Sequence, residues 1–252
     1  MSRSVISASE LDDLMNRSWR ALSEVPVDGW IVRRSEGVTQ RANSVLPVAA
    51  PRDLPDAITR VERLYLDHGL PPCFQLSPAA QPPELDEVLA ERGYELSGAT
   101  TIQVAEVEEV LNRLSCGRSS VEVRDEPGDD WMRLWWAVDG RGDDDARVTA
   151  GRILAGGPAL YAVSRHEGSP AAVGRLSLVG QWAGVYCMAV RADVRRRGHA
   201  QDILRGLLTA AADRGVRHTW LQVVSDNLAA RKLYEHAGYQ DFSTYHYRVR
   251  RH

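Results

Sequence analysis

The segment from Val185 to Ala211 limits this chain's fold more than any other. Val185-Tyr186-Cys187-Met188-Ala189-Val190 is an unbroken apolar run, as expected of a central strand covered on both faces. It leads into Arg195-Arg196-Arg197-Gly198-His199-Ala200, after which Ile203, Leu204, Leu207, Leu208 and Ala211 recur on one helical face up to Gly215. Strand, arginine-glycine turn and helix in immediate succession require an α/β arrangement. They also leave a helix N-terminus at the end of a strand, with about half a positive charge and several unpaired N–H groups. A phosphate fits such a position, and Gly198 and Ala200 allow close backbone approach. The turn lacks the Gly-Lys-Ser/Thr ending of a triphosphate loop and the full Gly-x-Gly-x-x-Gly dinucleotide fingerprint.

The rest of the chain extends the α/β pattern. Leu11, Leu14, Met15, Ser18, Trp19 and Leu22 form one helical stripe. Gly29 to Arg34 and Thr39 to Leu46 read as a hairpin about Glu36-Gly37. A helix from Asp56 to His68, a strand Cys73 to Leu76, a helix from Pro82 to Arg92 and a strand Ala99 to Val107 follow. The polar run Ser115-Cys116-Gly117-Arg118-Ser119-Ser120 suggests a joint, giving domains 1–115 and 119–252. Beyond it come a strand Val121 to Arg124 and helices from Asp129 and Asp144 to Ala155. A hairpin turning at Glu167-Gly168 precedes the Val185 strand. Thr219 to Val224 is a further strand, and Leu228 to Ala237 a helix that Gly238 ends.

Composition excludes several functions. With 44% hydrophobic residues and a formal net charge of -3, the 252-residue chain is globular and has no general basic field for nucleic acid. Neither a leader pattern nor a run of about 18 apolar residues is present, so the expectation is a cytoplasmic protein without a membrane span. Cys73, Cys116 and Cys187 lack metal-ligand spacing, and no metal is expected.

The succession around Arg195 to Tyr239 resembles the GNAT superfamily of N-acetyltransferases. In that family a loop of pattern Arg/Gln-x-x-Gly-x-Gly/Ala follows the fourth strand, and Arg195, Gly198 and Ala200 match it. An asparagine after the fifth strand and a tyrosine in the next helix are matched by Asn227 and Tyr234. The resemblance covers roughly Ser119 to His252. It implies a mixed twisted sheet flanked by helices and acetyl-CoA as co-substrate. Backbone groups of Met188, Ala189 and Val190 would line the pantetheine arm and acetyl carbonyl. Arg195, Arg196, Arg197, Gly198, His199, Ala200 and Gln201 would form the pyrophosphate loop, with Asn227 beside the pantetheine. The Tyr234 hydroxyl would protonate the departing thiolate. The acceptor would be a primary amine on a small molecule or protein, and a homo-oligomer is compatible with this reading. A longer acyl donor and a non-catalytic acyl-CoA-binding module are the alternatives.

The first half resembles the degenerate first copy of tandem GNAT proteins. Where a cofactor loop would sit it carries Leu46-Pro47-Val48-Ala49-Ala50-Pro51-Arg52-Asp53-Leu54-Pro55, without glycine and with prolines that remove N–H donors. This half is expected to bind no acetyl-CoA. No residue declares itself as the general base: His166 and Glu167 sit in a turn, and Tyr186 could face either side of the sheet.

Overall fold

The computed structural model describes residues 6–115, 117 and 119–251, so Cys116 and Arg118 of the expected joint lie outside the described residues. The chain divides into two units, Met1–Thr101 with Ser243–His252, and Ile102–Phe242.

Unit 1 opens with α1 (Ala8–Ser18), begun by a capping box in which the Ser7 hydroxyl accepts from the Glu10 amide and the Glu10 carboxylate accepts from the Ser7 amide. β1 (Ser23–Val27) and β2 (Trp30–Arg34) pair antiparallel about Asp28-Gly29, both in the left-handed region, as a tight hairpin requires. The pair expected about Glu36-Gly37 is also present: Trp30, Ile31 and Val32 of β2 face Pro47, Leu46 and Val45 antiparallel, but the second strand starts at Val45 rather than Thr39. Residues 39–44 form no strand, because Asn43 organises them as a loop. Its Oδ1 accepts from the Ser35 and Gly37 amides, and its Nδ2 donates to the Val38 and Thr39 carbonyls. β3 (Val45–Pro47), α2 (Leu54–Leu66), β4 (Cys73–Leu76) and α3 (Leu85–Glu91) follow. Trp30, Val32, Ile58, Val61, Tyr65, Phe74 and Leu89 fill the core.

β5 (Glu95–Glu106) runs without a break through the division at Thr101, and α4 (Val107–Arg113) then buries Val107, Val110 and Leu114 in the core of unit 2. The division thus falls before the polar run at 115–120. Unit 2 continues with β6 (Val121–Arg124), α5 (Asp129–Asp139), α6 (Asp144–Leu154), β7 (Ala159–His166), β8 (Ser169–Val179) and β9 (Trp182–Val190). α7 (His199–Ala212), β10 (His218–Val224), α8 (Leu228–His236) and β11 (Gln240–Val249) complete the chain. The strands of unit 2 lie in the order β10-β9-β8-β7-β6, with β10 parallel to β9 and the others antiparallel.

β11 is a strand beyond those expected from the sequence, with Tyr245, Tyr247 and Val249 alternating inward. Its far end belongs to unit 1, where His246 to Val249 pair antiparallel with Leu76 to Cys73 of β4. The expected mixed α/β architecture is what the chain adopts. Among the described residues no helix is long and apolar enough to cross a membrane, and no cluster of metal-ligating side chains occurs.

Candidate functional site

The site begins where β9 loses its regularity. On one side β8 pairs with it throughout, but Val173 faces Ala189 and Arg175 faces Tyr186, so Cys187 and Met188 together oppose Gly174. That is a β-bulge, and Cys187 takes φ +54° to form it. Gly174 makes the bulge possible, since a Cβ there would lie 2.6 Å from both Met188 Sδ and Ile203 Cγ2. On its other side β9 pairs with β10 only from Trp182–His218 to Val185–Leu221. Beyond that pair the two strands part, leaving the β10-facing backbone of Met188 and Val190 without a strand partner among the described residues. Unpaired strand edges bind other chains or ligands readily.

After β9 the chain makes a 3₁₀ turn at Ala192–Val194 and enters α7 through Gly198, whose φ is +94°. Arg196, at φ +63°, is a second left-handed residue two positions earlier. Such alternation turns successive amides toward a common concave side and suits an anion. Gly198 has no side chain to cap the helix, so the donors of the first turn await an outside partner. Gln201 is the exception: its amide donates to the Gly198 carbonyl at 2.9 Å. Arg195, Arg196 and Arg197 are exposed around this turn. Arg195 Nε donates to the Val190 carbonyl at 3.4 Å, and Arg197 Nη1 lies 3.1 Å from His166 Nε2.

His199 turns the other way. It is 4% exposed, with Nδ1 3.1 Å from Ser164 Oγ on β7 and 3.4 Å from Ser119 Oγ. Its ring ties the first turn of α7 to the sheet, and burial lowers its pKa below the usual histidine value. Only its backbone can belong to the open helix end.

Asn227 caps α8, its Oδ1 accepting from the Ala230 amide at 3.1 Å, and is otherwise exposed. Tyr234, two turns along α8, is 8% exposed and packs edge-on to Tyr239 at 5.8 Å. Tyr239 is itself tied to Thr219 on β10 at 3.2 Å. Burial pushes the Tyr234 phenol up to about 12, so it stays protonated across the ordinary pH range.

His166 and Glu167 do lie at a hairpin turn, and His218, at the start of β10, stacks on Trp182 at 4.6 Å. Trp131 and Trp135 are core residues, whereas Trp136 and Trp182 are partly exposed. Sequence reasoning missed the parting of β9 from β10. Its one local trace is Gly174, a glycine within a strand, which commonly marks a bulge.

Comparison with known proteins bears on family and fold. The family described as "Probable histone acetyltransferase Rv0428c C-terminal" matches residues 9–250. The chain is 28% identical over 246 residues to the uncharacterized N-acetyltransferase YobR of Bacillus subtilis (strain 168), covering 96% of this chain and 98% of that protein. In fold it is similar to a GCN5-related N-acetyltransferase from Kribbella flavida, with a TM-score of 0.73 at 16% identity over 96% of this chain and 95% of that one. A tandem GNAT protein from the clavulanic acid biosynthesis pathway gives a TM-score of 0.64 at 14% identity, covering 78% and 69%.

Proposed function

The chain belongs to this acetyltransferase family of the GNAT type, and on that premise we propose that it moves an acetyl group from acetyl-CoA to a primary amine by direct attack. One observation carries the reading: within unit 2 a parted strand pair and an uncapped, glycine-led helix start follow one another along the chain. The first suits an extended amide-bearing arm and the second a pyrophosphate. Acetyl-CoA, when bound, supplies the acetyl group as an activated thioester.

The chain's own residues then have distinct tasks. Amides from Arg196 to Ala200 bind the pyrophosphate, with Arg195 to Arg197 adding positive charge. Backbone groups of Met188 to Val190 pair with the pantetheine arm and donate to the acetyl carbonyl as negative charge develops on its oxygen. Asn227 holds the start of α8 beside the arm. Tyr234, kept protonated by burial, donates its proton to the leaving sulfur.

Supplying a lysine-type amine in its neutral form at pH 7 costs about 4 to 5 kcal/mol, so a proton must leave the nucleophile for solvent water before or during attack. An acetyl-CoA donor supports a cytoplasmic setting.

The test is calorimetric titration with CoA, acetyl-CoA and ATP, repeated on Gly198→Val. Among the described residues no atom beyond its chain neighbours lies within 4 Å of a Cβ at 198, so the variant acts through its backbone: valine is disfavoured at φ +94° by about 1 to 3 kcal/mol. We expect CoA to bind in preference to ATP and to weaken about 10- to 100-fold in the variant. Folded wild-type protein that ignores CoA overturns the reading, while CoA binding with no turnover on a broad amine panel would make the chain a non-catalytic acyl-CoA-binding module.

A further inference from the structure

Tyr186 occupies the first position of β9 beyond its last pairing with β10, since Val185 and Leu221 close the paired stretch. The register shows which way it points. Tyr186 stands directly opposite Arg175 of β8, and opposed residues of an antiparallel pair project from the same face. Gly174, one residue earlier on β8, faces α7, where its missing Cβ would meet Ile203 and Leu207. Neighbouring residues alternate, so Arg175 and Tyr186 face away from α7. The contacts of Arg175 agree: Nη2 donates to the Leu154 carbonyl at the end of α6, and the guanidinium lies 5.8 Å from the rings of both Tyr161 and Tyr186.

The hydroxyl of Tyr186 is held from the other strand. Gln222, the first residue of β10 beyond the last pair, donates from Nε2 to Tyr186 Oη at 3.2 Å. Two side chains therefore bridge a gap that the two backbones leave open. The ring has little freedom to swing, because it lies over Gly184, where a Cβ would come within 2.7 Å of Tyr186 Cε2 and 2.5 Å of Trp220 Cζ2. At 6% exposed, Tyr186 is a fixed polar point in the wall of that gap.

A donor seated on the start of α7 approaches the gap from the α7 side. The nucleophile must come from the face that the donor leaves free, and on that face the gap is bordered by Tyr186 and Gln222. We infer that Tyr186, braced by Gln222, is the acceptor's contact residue: its phenolic oxygen accepts a hydrogen bond from the incoming primary amine and aims the nitrogen lone pair through the gap at the acetyl carbon. The inference rests on the donor site proposed above. The phenolic oxygen is a hydrogen-bond acceptor, and the incoming amine N–H approaches it as a donor, as the Gln222 amide does. A rigidly held partner gains most of its effect from orientation.

Tyr186→Phe keeps the ring and its packing while removing the oxygen. With the fastest amine of a primary-amine panel, kcat/KM for the amine is expected to fall about 10- to 100-fold, a range typical of losing one orienting hydrogen bond to a reacting group. The Kd for CoA, measured by calorimetry, should stay within about twofold, and Gln222→Leu should give a smaller loss of the same kind. A readout independent of turnover comes from protein carrying ¹³Cζ-tyrosine. The resonance absent from Tyr186→Phe should move when the amine is added to CoA-saturated wild type. An unchanged kcat/KM in both variants, or an unmoved resonance, overturns the inference, as does a fall in CoA affinity that accounts for the whole loss. Wild type that fails to bind CoA sinks the donor site instead, so the two failures are told apart.

Discussion

In unit 1 the helix after β3 begins at Asp53, whose Oδ1 accepts from the Asp56 amide at 2.9 Å. In unit 2 the helix after β9 begins at Gly198, which has no side chain to offer. The strand ends differ in the same sense. The Pro47 carbonyl at the end of β3 accepts from the Gln81 amide at 2.9 Å, and the Gln81 carbonyl accepts from Trp30 Nε1 at 2.9 Å, so the chain after β4 is stitched back onto β3. Beyond Val185 and Leu221 nothing comparable among the described residues joins β9 to β10 through their backbones. A similar succession of elements thus satisfies its helix start internally in one unit and leaves it open in the other. Whether such a place holds a ligand depends on whether the chain supplies its own hydrogen-bond partners.

The interior of unit 1 tests that contrast most severely. Arg33, 1% exposed, donates to the Ser44 carbonyl and to the side chains of Asn16, Ser44 and Gln75. Asp12, 7% exposed, accepts from Ser77 Oγ at 2.5 Å, and burial pushes its carboxyl up to about 6. A carboxyl raised on folding contributes stability that is fully present below its unfolded pKa of 3.8 and lost as pH rises through about 6. Between pH 4 and 7.5 this group should cost the wild type up to about 3 kcal/mol, and Asp12→Asn should flatten that part of the profile. Urea unfolding of both proteins across the range checks it. Parallel profiles would mean that the polar interior of unit 1 carries no such strain.

Next in size is Tyr234→Phe. Loss of the acid should slow turnover about 100-fold while CoA affinity holds, and the wild-type rate should show no loss of this acid up to pH 10, because the phenol titrates near 12. Steady-state rates at several pH values decide it, and an unchanged rate would reduce Tyr234 to a packing residue. The smallest effect belongs to Asp53→Ala, which uncaps α2 at a cost of about 1 kcal/mol. Thermal unfolding should record the loss, and calorimetry should record no CoA binding gained at unit 1, since Pro47 and Pro51 still withhold amides there. CoA binding at unit 1 would break the contrast.

The sequence revealed those parts of the site that local chemistry writes into it. Gly198 is legible because a left-handed helix start favours glycine, Val185 to Val190 because a covered strand is apolar throughout, and Asn227 because an exposed helix start favours such a cap. The bulge was not legible. Its left-handed residue is Cys187, a type with no preference for that conformation, and the parting of β9 from β10 depends on pairing between residues some 35 positions apart. The direction of Tyr186 was hidden for the same reason, since a one-residue bulge reverses the alternation on which any count from Val190 relies. The second strand of the pair about Glu36-Gly37 starts later than expected because Thr39 to Leu46 has a strand-like composition throughout, and only the four bonds of Asn43 make residues 39–44 a loop.

The pairing of β11 with β4 has a consequence for how the protein is made. A ribosome releases Met1 to Thr101 early, yet the β4 edge that His246 to Val249 occupy stays bare until those residues, some 170 positions further on, have been made. The first unit to be synthesised is therefore the last to be finished, and during translation it must be kept from pairing that edge with another chain. A stop codon just before His246 would leave the coding sequence of the candidate site intact and still deprive the other unit of a strand.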